Sequence, residues 1–424
     1  MAHVFRTCTV LNLVPTPAKS LGDYSAVVGS QTVAELRKRA ERFKGARVLN
    51  VSSTAFGGGV AELLYTQIPL LRDLGMEVEW RLLEGHEAFF TVTKAMHNGL
   101  QGAEVPWTNE MRDLFFEVNE DNADALDEDY DFIVVHDPQP AGMLQVLQEK
   151  KGEQKGKWIW RCHIDLTARF EPVWEFLGPL ISRYKAAIFT MEDFVPPDLD
   201  VPLLVLQTPT IDPLSMKNVS LEPEAVTEVI RTYGIDPLRP IALQVSRFDP
   251  WKDPTGVMDA YRIAKEEIAG LQLVMIASMA HDDPEGWHYL KVAEDHRAAD
   301  PDIYLLSNLQ DVGSLAVNAF QRAADVILQK SLREGFGLTV SEAMWKRKPV
   351  IGGNVGGIRL QIVDGETGYL VDTVEQAGAR LVELFLEPDR AAAMGIAARA
   401  RVRERFLTTQ NLADFLDLFE SLSA

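Results

Sequence analysis

Short apolar runs alternate with stretches of helical spacing along most of this chain. Residues 47–53 are typical, because the run is short, apolar and ends in small polar residues, as a buried parallel strand does. Residues 33–40 and 60–65 show helical spacing instead. The alternation predicts parallel sheets with helices on both faces. We assign strands to residues 47–53, 77–83, 131–136, 157–164, 187–190, 241–246, 272–276, 303–306, 325–329 and 349–352.

A turn-rich segment at residues 207–213 interrupts this alternation, which then starts again. A chain of 424 residues is too long for one ordinary core. We therefore predict an α/β protein of two doubly wound, Rossmann-like domains with a cleft between them, and strand ends that carry the site. The predicted domains are residues 1–210 and 211–405, and residues 406–424 form a helix that packs back on the first domain.

Composition narrows the function classes. No apolar run is long enough to span a bilayer, and the first residues lack the order of a signal peptide. The chain has only two cysteines, which favours a reducing compartment. A formal net charge of −20 should repel nucleic acid. We expect a cytoplasmic protein without membrane or nucleic-acid partners, in which an anionic small molecule needs a local cationic pocket.

Two segments of the second half could form such a pocket. Arg247 and Lys252 rise from one loop after a strand, where two cations suit a diphosphate, although a solvated pair fits the spacing equally well. Residues 333–344 follow a later strand, and a helix begins near Gly337. Its first N–H groups would favour phosphate. Glu342 could accept hydrogen bonds from ribose hydroxyls and should support little of the core; a solvated helix face is the alternative.

The first half offers weaker signals. Glycines 57–59 follow a strand and open a helix, but Glu62 breaks the G-x-G-x-x-G dinucleotide fingerprint. Residues 136–140 and 161–165 put polar side chains at strand ends, where they could bind a polyol. A further glycine-rich turn at residues 352–358 implies close approach of the backbone to a neighbour or ligand.

These motifs together resemble a known family. Glu334, seven intervening residues and Glu342, with Arg247 and Lys252 upstream, resemble the signature of family 4 retaining glycosyltransferases of the GT-B fold. Further stretches over nearly the whole chain look like the trehalose glycosyltransferring synthases of that family, and the first forty or so residues match least well. These stretches are residues 53–62, 136–140, 161–165, 245–252, 279–287 and 333–345.

The resemblance implies reversible synthesis of trehalose from a nucleoside diphosphate glucose and glucose, with retention. It implies that Arg247 and Lys252 neutralise the leaving diphosphate and that Glu342 binds ribose. No cofactor and no metal are implied. The donor set would be completed by residues that hold the transferred glucose, its phosphate and the base: Gly58, Asn308, Leu309, Glu334, Gly335, Phe336, Gly337, Leu338 and Thr339.

On the acceptor side, the resemblance implies that Asp137 and His163 contact the sugar at the reacting centre. The acceptor glucose would lie beside His97, Asn98 and Gln139, and also near Gly58, which is thus implied on both sides. Catalytic roles would then fall to Arg247, Lys252, Glu334, His163 and Asp137.

Three alternatives stay open. A retaining trehalose phosphorylase would use the same residues with inorganic phosphate, but such relatives have longer chains. A nicotinamide oxidoreductase also pairs Rossmann domains, and the broken fingerprint argues against it. A non-catalytic sugar-nucleotide sensor would not need to keep Arg247 and Lys252 together with both Glu334 and Glu342. The sequence leaves undecided the nucleotide base, the physiological direction and whether the chain forms a homodimer.

Overall fold

The computed structural model describes residues 11–56, 58–126, 128–279 and 284–423. They form two compact units. The first unit contains the described residues up to Thr208 and from Asn411 onward, and the second is Pro209–Gln410. The boundary between Thr208 and Pro209 lies inside the turn-rich segment. No helix of the described residues is long and apolar enough to cross a membrane.

The first unit is built on a seven-stranded sheet. Its strands are β1 (Asn12–Leu13), β2 (Arg47–Ser52), β3 (Glu77–Leu82), β4 (Phe132–His136), β5 (Lys157–Arg161), β6 (Ala186–Phe189) and β7 (Leu204–Leu206). Their order is β1-β3-β2-β4-β5-β6-β7, with β1 antiparallel and every other pairing parallel. The helices are α1 (Ser25–Val28), α2 (Ser30–Ala40), α3 (Gly59–Asp73), α4 (Glu87–Leu100), α5 (Asn109–Asp124), α6 (Met143–Lys151) and α7 (Glu171–Ile181).

The second unit has a six-stranded parallel sheet. Its strands are β8 (Ile241–Val245), β9 (Gln272–Ala277), β10 (Ile303–Ser307), β11 (Val326–Gln329), β12 (Val350–Gly353) and β13 (Tyr369–Val371), in the order β10-β9-β8-β11-β12-β13. The helices are α8 (Pro223–Thr232), α9 (Pro254–Lys265), α10 (Pro284–Arg297), α11 (Ser314–Ala323), α12 (Leu338–Trp345), α13 (Ile358–Gln361), α14 (Val374–Leu386) and α15 (Pro388–Arg405), and α16 (Thr408–Ser423) follows them.

The last turns of the chain belong to the first unit. Phe419, on α16, stacks on Phe132 with ring centroids 4.1 Å apart, and Phe43 meets both rings edge-on. Arg39 and Arg42 of the same unit form ion pairs with carboxylates of α16. Residues 411–423 therefore pack on the first unit through aromatic and charged contacts.

The predicted α/β class and all ten predicted strands are confirmed. The prediction for residues 157–164 extended too far, because β5 ends at Arg161. At His163 the backbone N–H donates to the Asp137 side chain at 2.8 Å instead of to a neighbouring strand. The short strands β1, β7 and β13 were not predicted, since two or three residues carry too little pattern.

Both sheets reverse their strand order at one point. In the first unit the reversal lies between β2 and β4, and in the second it lies between β8 and β11. Ligands of open α/β sheets bind outside the carboxyl ends of the strands at such switch points. The loops after these four strands contain most of the polar motifs singled out in the sequence.

Candidate functional site

Lys252 contacts Glu334; the resemblance assigns the lysine to the diphosphate and the glutamate to the transferred sugar. The Lys252 Nζ donates to the Glu334 Oε2 at 2.7 Å, and Ser331 Oγ donates to the same oxygen at 3.1 Å. The two charged side chains are only 15% and 11% exposed. A largely buried ion pair therefore joins the loop after β8 to the loop after β11.

Further contacts join these two loops. The backbone N–H of Leu332 donates to the Trp251 carbonyl at 2.7 Å. The Arg333 guanidinium lies over the Trp251 ring, 4.6 Å from its centroid. Sequence reasoning missed both contacts, because residues about eighty positions apart have no shared spacing signal.

The backbone after Glu334 turns sharply into α12. Gly337 caps the helix with a φ of 81°, a left-handed conformation that side chains disfavour. Gly357 packs against the same turn, since a Cβ there would lie 2.4 Å from the Phe336 Cα. The Gln361 side chain donates to the Phe336 carbonyl, and Thr339 Oγ1 donates to Gln329 Oε1 at 3.0 Å. The helix begins at Leu338, so its first N–H groups have no intrahelical acceptor.

Arg247 is exposed, unlike the Lys252–Glu334 pair. Its side chain is 60% exposed, and its nearest charged partner is Asp249, with Nη2 and Oδ2 3.2 Å apart. Asp249 itself is buried and accepts the backbone N–H groups of Trp251 and Lys252 at 2.9 and 3.1 Å. This cap shapes the loop that presents Lys252. A role for Arg247 at a diphosphate stays a prediction.

Glu342 is more buried than expected. The expectation that it supports little of the core is wrong, since the residue is 2% exposed. Gln321 Nε2 donates to its Oε2 at 3.3 Å, and Lys217 Nζ lies 3.8 Å from its Oε1. Lys346 Nζ donates to the Glu342 backbone carbonyl at 3.1 Å and to Asn218 Oδ1 at 2.8 Å. Burial lowers the pKa of Lys346 to about 7, although the Glu342 charge raises it.

Asn308 and Leu309 lie in the turn after β10. Asn308 binds the main chain of Met279 in both directions, accepting from its N–H at 2.6 Å and donating to its carbonyl at 3.0 Å. Leu309 is partly exposed. The structure therefore gives Asn308 a structural task beside its predicted place at the base. Ala280–Asp283, within a stretch that carried the resemblance, lie outside the described residues.

In the first unit, Asp137 and His163 meet at the ends of β4 and β5. Asp137 adopts a φ of 62°, and its Oδ1 accepts the backbone N–H of His163. His136 Nδ1 lies 3.1 Å from His163 Nε2, and the two ring planes are 16° from parallel with centroids 5.4 Å apart, an edge-to-edge arrangement. Sequence reasoning quoted His136 in a motif but assigned it no role.

Burial dominates the electrostatics of this cluster. It raises the pKa of Asp137 to about 7, although the His163 N–H and the Arg161 charge lower it. It lowers the pKa of His136 to about 3, and the Arg161 charge lowers it further. Burial also lowers the pKa of His163 well below its usual range, followed by the effects of Arg161 and His136. Both imidazoles are therefore neutral near pH 7.

The other predicted acceptor residues lie on three different segments of the first unit. Gln139 follows Asp137 in the same loop, and its backbone carbonyl accepts from Asn119 Nδ2 at 3.1 Å. His97 and Asn98 lie on the last turn of α4, and their carbonyls accept N–H groups of the turn that follows. Gly58 precedes α3 with extended backbone, and Gly57 lies outside the described residues. The structure thus unites Asp137 with His163 and places the other residues on separate elements.

The architecture and loops define a class. A model described as glycosyl transferases group 1 matches residues 226–401. The structure of α,α-trehalose 6-phosphate synthase from Burkholderia multivorans resembles the chain with a TM-score of 0.70, at 15% identity, over 89% of this chain and 99% of that one. The protein is a hexosyltransferase of the GT-B fold.

A more specific model, trehalose synthase N-terminal domain, matches residues 50–196. Proteins named trehalose synthase from Rubrobacter xylanophilus and Pyrococcus horikoshii are 48% and 46% identical to the chain, over 95% of it and 97% of each relative. The chain belongs to this trehalose synthase family. A trehalose phosphorylase from Pleurotus pulmonarius is 28% identical, and the match covers 94% of this chain and 60% of that protein.

The opposed pKa shifts of Asp137 and His136 predict a pH effect on stability. Folded Asp137 keeps a proton that the unfolded carboxyl releases, so it stabilises the fold below its folded pKa of about 7. His136 takes up a proton on unfolding, so its contribution to stability is lost as the pH falls below the ordinary pKa of a histidine. Each slope is about 1.4 kcal/mol per pH unit, and between roughly pH 4 and 6.5 these two slopes cancel. The lowered pKa of His163 adds a slope of the same sign as that of His136, so the cluster as a whole still loses stability on acidification.

Asp137→Asn removes only the first slope, and asparagine tolerates a positive φ. We expect the variant to lose stability more steeply than the parent on acidification from about pH 6.5 to 4.5, by roughly 1.4 kcal/mol per pH unit. Urea unfolding at several pH values measures this. The exposed Asp200→Asn is the matched control. Parallel profiles for Asp137→Asn and the parent would contradict the assignment of a raised pKa to Asp137.

Proposed function

We propose that this protein transfers glucose from a nucleoside diphosphate glucose to free glucose, making trehalose reversibly and with retention. Membership of the trehalose synthase family over 95% of the chain supports the reaction. The observation that carries the donor assignment is the contact of Lys252 with Glu334 beside the start of α12. A cation, a carboxylate and the first N–H groups of α12 near the ends of β8 and β11 support a donor site there.

The donor half-site suits a leaving diphosphate. Negative charge grows on the diphosphate in the transition state, and fixed cations and N–H groups there stabilise it. Lys252 and Arg247 supply the cations, and the amides from Gly335 to Thr339 bind the phosphate oxygens and the sugar. Glu342 accepts the ribose hydroxyls, while Asn308 and Leu309 lie beside the base.

Glu334 binds the transferred glucose and is not a covalent nucleophile in this proposal. Its Oε2 already accepts hydrogen bonds from Lys252 and Ser331, which reduces its nucleophilicity. Retention instead follows a front-face attack, in which a donor phosphate oxygen takes the proton of the acceptor hydroxyl. Glu334 then orients the sugar against the developing oxocarbenium charge.

The acceptor half-site belongs to the first unit. Asp137 and His163 contact the sugar at the reacting centre, and Gly58, His97, Asn98 and Gln139 surround the acceptor glucose. The neutral imidazole of His163 suits this place, because it offers a hydrogen bond without adding positive charge near an oxocarbenium ion.

A product assay tests the function. The full chain is incubated with glucose and each of ADP-, UDP- and GDP-glucose, and α,α-linked disaccharide is measured. We expect trehalose to form with at least one donor. In the reverse direction, we expect glucose to be transferred from trehalose to the nucleoside diphosphate. Phosphate-dependent cleavage to glucose 1-phosphate would establish the phosphorylase instead. An absence of any turnover would favour the sugar-nucleotide sensor, and NADH oxidation would point to an oxidoreductase.

A cytoplasmic location and a homodimer are further proposals. The two cysteines among 424 residues suit a reducing compartment. Fractionation of cells and the solution mass of the purified chain test the two proposals separately.

Lys252→Ala should lower kcat by about a hundredfold or more, because it removes a charge that stabilises the leaving group. The KM for acceptor glucose should change little. Steady-state kinetics with both substrates measures the split. Lys291→Ala, an exposed lysine of α10, is the control and should keep kcat. Near-parent turnover of Lys252→Ala would remove the diphosphate role.

Glu342→Gln keeps the size of the buried side chain and removes its charge. Nucleoside diphosphate affinity should fall by about 1.5–3 kcal/mol, the range for hydrogen bonds to a charged group. Trehalose affinity should stay close to that of the parent. Calorimetric titration with each ligand separates the two effects, and the exposed Glu375→Gln serves as the control. Unchanged nucleotide affinity would mean that Glu342 does not bind the nucleotide and has only a structural role, through its contacts to Gln321 and the lysines.

Turnover should survive excess EDTA, because Lys252, Arg247 and the start of α12 supply the positive field at the diphosphate. Trehalose formation is measured before and after chelation and again after adding magnesium or manganese. Loss of activity that either metal restores would show that a divalent cation holds the leaving group.

A further inference from the structure

His136 is a buried histidine to which the proposed reaction assigns no role. It ends β4, is 3% exposed and lies between two polar partners. Its Nε2 is 3.1 Å from Asn50 Oδ1, on the adjacent strand β2, and its Nδ1 is 3.1 Å from His163 Nε2. Asn50 is also buried, so both contacts are shielded from water. The three residues form one line of hydrogen bonds across the switch point of the first sheet.

The protons in this line can be assigned in sequence. An amide oxygen only accepts, so the proton of His136 lies on Nε2, where it is donated to Asn50 Oδ1. Since His136 is neutral, its Nδ1 carries a lone pair and can only accept. The 3.1 Å contact is then a hydrogen bond donated by His163 Nε2. His163 is neutral as well, which leaves its Nδ1 unprotonated.

We propose that Asn50 and His136 are positioning residues that hold His163 in the tautomer with its proton on Nε2. Nδ1 of His163 is thereby fixed as an acceptor for a sugar hydroxyl. The sugar contact rests on the proposed function, whereas the tautomer does not. In the other tautomer, two lone pairs would face each other at Nδ1 of His136 and Nε2 of His163. Such an unpaired buried polar contact is unfavourable.

The Asn50 amide orientation decides the direction of the line. Among the described residues, Asn50 Nδ2 has no hydrogen-bond partner, and a rotated amide would instead donate to His136 Nε2. Both tautomers would then reverse, and His163 Nδ1 would carry a proton. The two arrangements make opposite statements about His163, so one spectroscopic measurement separates them.

The measurement is a long-range ¹H–¹⁵N correlation on the full chain with labelled histidines, near pH 7 and without substrate. The chain has eight histidines, and the His136 and His163 signals are assigned by their loss in single variants. We expect both rings to be neutral, with protonated Nε2 and unprotonated Nδ1. A protonated Nδ1 on His163, a charged ring or a tautomer mixture would overturn the proposal.

Two substitutions of His136 test positioning separately from folding. His136→Gln keeps a carbonyl oxygen that can accept from His163 Nε2, whereas His136→Leu has no acceptor. We expect His136→Leu to give mixed tautomers at His163 and about a tenfold or greater fall in kcat, with donor KM roughly unchanged. His136→Gln should restore the single tautomer and most of kcat.

The exposed His86→Leu is the control, and it should alter neither the His163 signal nor kcat. Urea midpoints show which variants are folded; if His136→Leu does not fold, the parent spectrum and His136→Gln still decide. Equal kcat losses in the Gln and Leu variants, with His163 unchanged in both spectra, would reduce His136 to a packing residue. A correct tautomer in a protein that makes no trehalose would instead refute the proposed function alone.

Discussion

The ion pair between Lys252 and Glu334 is the contact on which the proposed donor half-site depends. Two oppositely charged side chains, each less than one sixth exposed, meet at 2.7 Å from loops 82 positions apart. A buried pair is costly to break, because removing one partner leaves an uncompensated charge. The stacking of Arg333 on Trp251 holds the same two loops in register. The first amides of α12, which we propose bind the phosphate, are thus presented by a loop whose position is set through Lys252.

Much of the fold could be predicted from the sequence, because a buried parallel strand has a strong local pattern. All ten assigned strands exist, and α12 begins one residue after Gly337. The pattern failed where an element is short, as at β13, or where a side chain replaces a strand partner, as Asp137 does at His163. Local periodicity contains no information on either case.

For the site, the sequence supplied the residue types and the resemblance supplied their roles. The burial of a site residue could not be predicted from the sequence. Glu342 was expected to support little of the core, but it is enclosed by Gln321, Lys217 and Lys346. These partners come from three segments with no common spacing. For the same reason, the contact between Asn50 and His136 could not be predicted, because it crosses from β2 to β4 and depends on sheet register.

Charged groups have different environments in the two units, and the proposed reaction gives a reason. In the second unit, buried or partly buried cations remain beside carboxylates, which suits a group that becomes more negative as the bond breaks. In the first unit, burial and the Arg161 charge keep two imidazoles neutral, while burial raises the pKa of Asp137 despite that charge. A charged imidazole would disfavour the positive charge that develops on the sugar ring. A neutral one can still orient a hydroxyl, provided that its single proton is on the correct nitrogen.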